Sequence, residues 1–128
     1  MDNGKKVIYS VSDKRIIVPG IVKGKKYHFL VDTGASVPLI SERVRGIVVG
    51  KPYRGGIVGA GGPIKARHCN TSVYVGGKPM TQFLIADIDN IIASIRHETG
   101  VEIAGIISLP QMRFYGVEID TDDNFIRI

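Results

Sequence analysis

Tryptophan is absent, cysteine occurs once, and no apolar run reaches the ~18 residues that a membrane-spanning helix needs. A single thiol, Cys69, excludes an internal disulfide, and without partner cysteines it excludes a thiolate zinc site; a reducing, cytoplasmic setting is expected. The opening residues Met1 to Lys6 lack the apolar core of a signal peptide, so export is not expected unless a longer precursor has been trimmed. Repeats, low-complexity tracts and linkers are also missing, and 128 residues fit one domain over 1–128. Basic clusters are missing too. The net charge of +5 comes from Lys and Arg scattered in ones and twos, the densest group being Lys23, Lys25 and Lys26 about Gly24, which reads as an exposed hairpin tip rather than a nucleic-acid surface.

What is abundant is Val, Ile and Gly, a composition of short strands and turns. Strands are expected at 7–11 and 16–22. Lys23-Gly24-Lys25-Lys26 then closes a hairpin into a third strand, Tyr27 to Val31, which ends on Asp32. Apolar pairs at Ile47 to Val49 and Ile57-Val58 lie among so many glycines that a mobile hairpin is expected there. A second hairpin runs from the alternating Ile64 to Val75 through Gly76-Gly77 into Met80 to Ala86. Ile88, Ile91, Ile92 and Ile95 recur at helical spacing before Gly100, predicting a helix within Asp87 to Thr99. Ile103 to Ile107 returns to strand, Pro110 to Tyr115 predicts a short helix stopped by Gly116, and Val117 to Ile119 and Phe125 to Ile128 are the terminal strands.

The chemistry is concentrated in Phe29-Leu30-Val31-Asp32-Thr33-Gly34-Ala35-Ser36. An apolar strand delivers a carboxylate into a tight turn, Gly34 lets the backbone close round it, and Thr33 and Ser36 bring hydroxyls able to orient its oxygens. This stretch, residue for residue from Leu30 to Ala35, resembles the retropepsin-like aspartic proteases. Two further segments resemble that family in the same order. Gly59-Ala60-Gly61-Gly62-Pro63-Ile64-Lys65-Ala66-Arg67 is similar to the tip and returning strand of its flap, and Gly105-Ile106-Ile107-Ser108-Leu109-Pro110, continued to Asp120, is similar to its closing strand, helix and last strand. Two positions depart from the pattern: Ser108 stands where the family usually has Gly, beside the catalytic loop, and Pro38 where a free amide is common.

The resemblance implies an all-β, closed β-barrel with a flap hairpin and one or two short helices. It implies an aspartic endopeptidase in which Asp32, Thr33 and Gly34 form the catalytic turn, while Ala35, Ser36, Gly59, Ala60, Gly61 and Gly62 bind an extended peptide or protein substrate, with no cofactor. Such hydrolysis needs two carboxylates sharing one proton. No second Asp-Thr-Gly exists, and Asp120-Thr121-Asp122 lacks the glycine, so a two-fold homodimer is expected to supply the other Asp32. By resemblance Thr33 reaches across the axis and Ser36 steadies the outer carboxylate oxygen, while Phe125 to Ile128, apolar and terminal, is expected to pair with the partner and so remove exposed edges. The alternative is a peptide-binding or scaffolding domain that kept the fold with weak or no activity, for which Ser108 is the main argument.

Other reactive side chains read more simply. His28, His68 and His97 lie far apart, giving no metal site, and Cys69 has no activating neighbour. Ser41 and Ser108 have no Gly-x-Ser-x-Gly elbow, and the run Gly55 to Gly62 lacks the Lys-Ser or Lys-Thr of a phosphate loop. The acidic turn 120–123 lacks the spacing of a helix-loop-helix calcium site.

Overall fold

The structure, a computed structural model, describes residues 4–59 and 61–128. Along the chain run β1 (Val7–Tyr9), β2 (Ile17–Val22), β3 (Lys25–Asp32), β4 (Leu39–Ser41), β5 (Val48–Pro52), β6 (Val58–Gly59), β7 (Gly62–Pro63) and β8 (Ala66–Asn70). Then come β9 (Val73–Val75), β10 (Lys78–Met80), β11 (Leu84–Ala86), α1 (Asp89–Thr99), β12 (Gly105–Ser108), α2 (Leu109–Tyr115), β13 (Glu118–Asp120) and β14 (Phe125–Arg127). The fold is mostly β with two short helices. Nine strands form one curled sheet in the order β10-β9-β2-β3-β12-β4-β11-β8-β5, whose end strands β10 and β5 are not joined to each other.

Strand alternation places a core on each face of this sheet. Val18, Phe29, Ile40, Ile85 and Ile107 point to one side, while their neighbours Ile17, Leu30, Leu39, Leu84 and Ile106 point to the other. Burial on both faces is why these strands read as continuous apolar runs. The second face is covered by Ile88, Ile92 and Ile95 around α1. At the centre β12 runs parallel to β3, setting Gly105 opposite Phe29 and Ser108 opposite Asp32. Gly105 is required there: a Cβ would lie 2.5 Å from the Leu39 carbonyl oxygen and 2.8 Å from the Phe29 ring.

The β2–β3 turn is tighter than the sequence predicts. Lys23 and Gly24 both take positive φ, 51° and 78°, giving a two-residue turn whose twist suits a hairpin, and Lys25 and Lys26 already belong to β3. The second predicted hairpin is present but broken on both sides. β9, with β10 on its outer edge, swings over to join β2, while β8 and β11 join β5 and β4. The break is held from α2: the Tyr115 hydroxyl accepts the Thr81 N–H at 3.1 Å, and the Gln111 side chain donates to the Thr81 carbonyl at 2.7 Å. Both helices end as predicted on left-handed glycines, Gly100 and Gly116.

The chain ends differ from expectation. Phe125 to Ile128, in place of pairing with a partner chain, puts β14 in the middle of a three-stranded sheet, β1-β14-β13, with both edges taken within the chain. Ile128 extends this ladder by exchanging backbone hydrogen bonds of 2.8 and 2.9 Å with Lys6. Val7 and Tyr9, strand residues as predicted, supply the edge that closes over it, and the Tyr9 ring meets Phe125 edge-on at 5.6 Å.

Candidate active site

Because β3 is buried along its apolar length and ends at Asp32, the carboxylate emerges where the sheet gives way to a turn. Asp32 is half-buried, whereas Thr33, Gly34 and Ser36 are exposed. The Gly34 N–H donates to Asp32 Oδ1 at 2.9 Å, and the Ala35 N–H donates to the Asp32 carbonyl at 3.1 Å, so the turn folds back on the carboxylate. Gly34 has little room for more, since a Cβ there would lie 3.2 Å from Asp32 Oδ1. From behind, the Leu109 N–H donates to the Ala35 carbonyl at 3.0 Å and ties the turn to the start of α2. Ser36, expected to steady the carboxylate, makes no hydrogen bond to it among the described residues.

Asp32 opens into a cleft of about 380 Å³. Its floor is Leu30, Leu39 and Ile106 from the second core face, joined by Ala35 and Val37 of the turn. Over it lies the glycine-rich hairpin, with β6 and β7 paired Val58 to Pro63 and Gly59 to Gly62, and Ile57 and Ile64 directed to the cleft. Gly59 and Gly61 therefore share a cavity with Asp32, Gly34, Ala35 and Ser36. Gly62 takes a φ of 110°, which only glycine adopts without strain, and lies at the hairpin bend outside the cleft lining. Ala60, predicted at the hairpin tip, is outside the described residues.

Sequence reasoning missed the third wall. Asn90, Ile91, Ser94 and Ile95 of α1 line the cleft, and a Cβ on Gly61 would lie 3.1 Å from the Asn90 side-chain nitrogen, so the hairpin bend rests against this helix. Arg15 also lines the cleft. Its Nε donates to both Glu98 oxygens, at 2.9 and 3.0 Å, and the hydrogen bond and charge of Glu98 hold the guanidinium pKa above its ordinary value, with Asp32 adding a smaller push. A signal for Arg15 did exist. With the turn at Lys23-Gly24, the β2–β3 register carried two residues past Ile17–Leu30 sets Arg15 opposite Asp32. A four-residue loop shifts that register and hides it.

The two departures resolve locally. Ser108 is fully buried and opposite Asp32, yet its hydroxyl accepts the Gln111 N–H at 3.4 Å, while the Gln111 side chain accepts the Ser108 N–H at 3.2 Å. This reciprocal cap starts α2 and keeps the hydroxyl on the helix. Pro38 directly precedes β4, where a missing N–H costs no ladder bond, and its carbonyl accepts the Leu84 N–H at 3.0 Å.

The remaining candidates are elsewhere. Asp120 caps its own turn, its Oδ1 accepting the N–H groups of Asp122 and Asp123 at 3.0 and 2.8 Å. Burial pushes the Cys69 thiol pKa up, and its Sγ donates to the Phe83 carbonyl at 3.1 Å. Burial, with help from Lys26, lowers that of His28. Among the described residues no three His, Cys, Asp or Glu side chains are grouped to hold a metal, and no helix is long and apolar enough to cross a membrane.

No family model matches this chain, and no curated protein sequence matches it. Among solved structures, EIAV protease complexed with the inhibitor HBY-793 is similar, with a TM-score of 0.57 over 83% of this chain and 92% of that one at 20% identity. The chain has a retropepsin-like fold.

Proposed function

We propose that the protein is an aspartic endopeptidase working as a homodimer, with the two Asp32 carboxylates facing each other across the two-fold axis. The observation that carries this reading is the cleft itself: a carboxylate presented by Asp-Thr-Gly at a strand end, under a glycine-rich hairpin, within the fold of a protease. In the reaction one Asp32 takes a proton from water, the water oxygen adds to the peptide carbonyl, and the other Asp32 donates its proton to the carbonyl oxygen. Collapse of the tetrahedral adduct breaks the C–N bond as the amine gains a proton. Two carboxylates this close cannot both ionise, so one proton is retained between them, and one subunit alone lacks the second group.

Exposure of Thr33, Gly34 and Ser36 supports the dimer, since a turn that meets its own image must lie at the surface. With β14 taken on both edges, strand pairing between subunits falls to the outer edges of β1 or β13. The peptide-binding alternative rests on Ser108, whose hydroxyl is engaged in capping α2. Incubation with a mixed peptide pool, with and without a hydroxyethylene transition-state mimic, tests the proposal. Cleavage at defined bonds that the mimic blocks is expected; binding of peptides without cleavage from acid to neutral pH would overturn it.

A further inference from the structure

Of the residues lining the cleft, Asp32 is the only anion and Arg15 the only cation among those described. Arg15 spends one donor, Nε, on Glu98; the four N–H bonds of its two terminal nitrogens have no partner among the described residues. Beside it α1 presents the Asn90 amide and the Ser94 hydroxyl, also unpartnered there, above an apolar throat of Leu30, Ile91, Ile95 and Ile106. A planar guanidinium with a free edge matches a carboxylate with two parallel hydrogen bonds, and an apolar throat below it suits a methylene stem. The Lys14 ammonium, 3.2 Å from the Glu98 carbonyl oxygen, and the net charge of +5 add a field that draws acidic peptides.

We propose that Arg15 makes this cleft select a substrate residue bearing a carboxylate side chain, glutamate in particular, beside the bond to be cleaved. The stem lies on Ile91 and Ile95, the carboxylate meets the terminal guanidinium nitrogens, and Ser94 or Asn90 adds a further donor. Glu98 is the positioning residue: anchored at the C-terminal end of α1, it fixes the guanidinium through Nε and leaves its outer edge open. An ion pair serving only to staple α1 to the chain before β2 would need no place in the cleft wall.

This inference rests on the peptidase reading, and the test separates the two. Peptides matched except for Glu, Asp or Gln at each position flanking the cleaved bond are compared by kcat/KM near neutral pH. At one position Glu is expected to exceed Gln by about tenfold, the scale of a charge-assisted hydrogen bond in a half-open site. In Arg15→Gln that ratio falls to about one, and in Arg15→Glu a Lys peptide overtakes the Glu peptide. Glu98→Gln, which keeps an acceptor for Nε, retains the Glu preference and Glu98→Ala lowers it, whereas a mere staple predicts lost thermal stability with the preference unaffected by Arg15→Gln. A Glu to Gln ratio near one at every position, or one that survives Arg15→Gln, overturns the inference. If no peptide is cleaved, the peptidase reading fails, and the same peptides, dye-labelled and titrated by fluorescence anisotropy, decide the Arg15 assignment by their ratio of affinities.

Discussion

Two aspartates in this chain begin similar tripeptides and have different work. Asp32 stands at the end of a buried strand and opens into a cleft; Asp120 spends its carboxylate on two N–H groups of its own turn. Asp32→Asn retains an oxygen for the Gly34 N–H, so its melting temperature is expected to stay close to wild type while peptide cleavage falls about a hundredfold or more, the contribution of a general acid or base. Asp120→Ala is expected to do the opposite, losing about 1 kcal/mol of stability as two turn hydrogen bonds go, with cleavage retained. Thermal melts and cleavage rates on both variants check the contrast. This difference is legible in the sequence because Gly34 follows Thr33 and no glycine follows Thr121. Arg15 is not, because nothing local marks a basic residue in a loop as a cleft residue; only the register of a hairpin turning eight residues later brings it to Asp32.

At the scale of elements, α2 and α1 serve the site from opposite sides. α2 begins immediately after β12, and its first amide holds the Ala35 carbonyl, so the Ser108 cap stabilises the helix that braces the Asp32 turn. Ser108→Ala is expected to cost about 1 kcal/mol in chemical denaturation, the usual value of a lost N-cap, without changing which bonds are cleaved. α1 is tethered at its first turn by Arg43, whose Nε and Nη2 each donate to Asp89 at 2.7 Å, and this pair holds the Asp89 pKa below its ordinary 3.8. A carboxylate with a depressed folded pKa stabilises the folded chain above its unfolded value and loses that effect as pH falls through the folded one. Melts of wild type and Arg43→Gln are therefore expected to differ at neutral pH and to converge well below the ordinary carboxylate value of 3.8. Only a small difference is expected, since both side chains are solvated. The helix and its glycine stop are readable from isoleucine spacing, but that spacing describes the face packed on the core. Asn90 and Ser94, on the neighbouring stripe, look like ordinary solvated positions until the hairpin bend is seen to lie over them.

For the whole molecule, the sequence carries the succession of strands along the chain, whereas their order in the sheet and their burial on both faces emerge only once neighbouring strands are set in register. It does not carry the partner of a terminal strand. Phe125 to Ile128 is apolar whether it pairs with its own chain or another, and only the ladders to β1 and β13 decide that both its edges are filled at home. In the proposed dimer, contact between subunits centres on the exposed turn at Thr33 and Gly34, beside the half-buried carboxylate. The most direct test is to mix wild-type protein with increasing proportions of Asp32→Asn under conditions where subunits exchange, at constant total concentration, and follow peptide cleavage. Activity falling as the square of the wild-type fraction is predicted, because every mixed pair lacks one carboxylate. A fall in simple proportion to that fraction would contradict the account, since each subunit would then be cleaving with its own Asp32 alone.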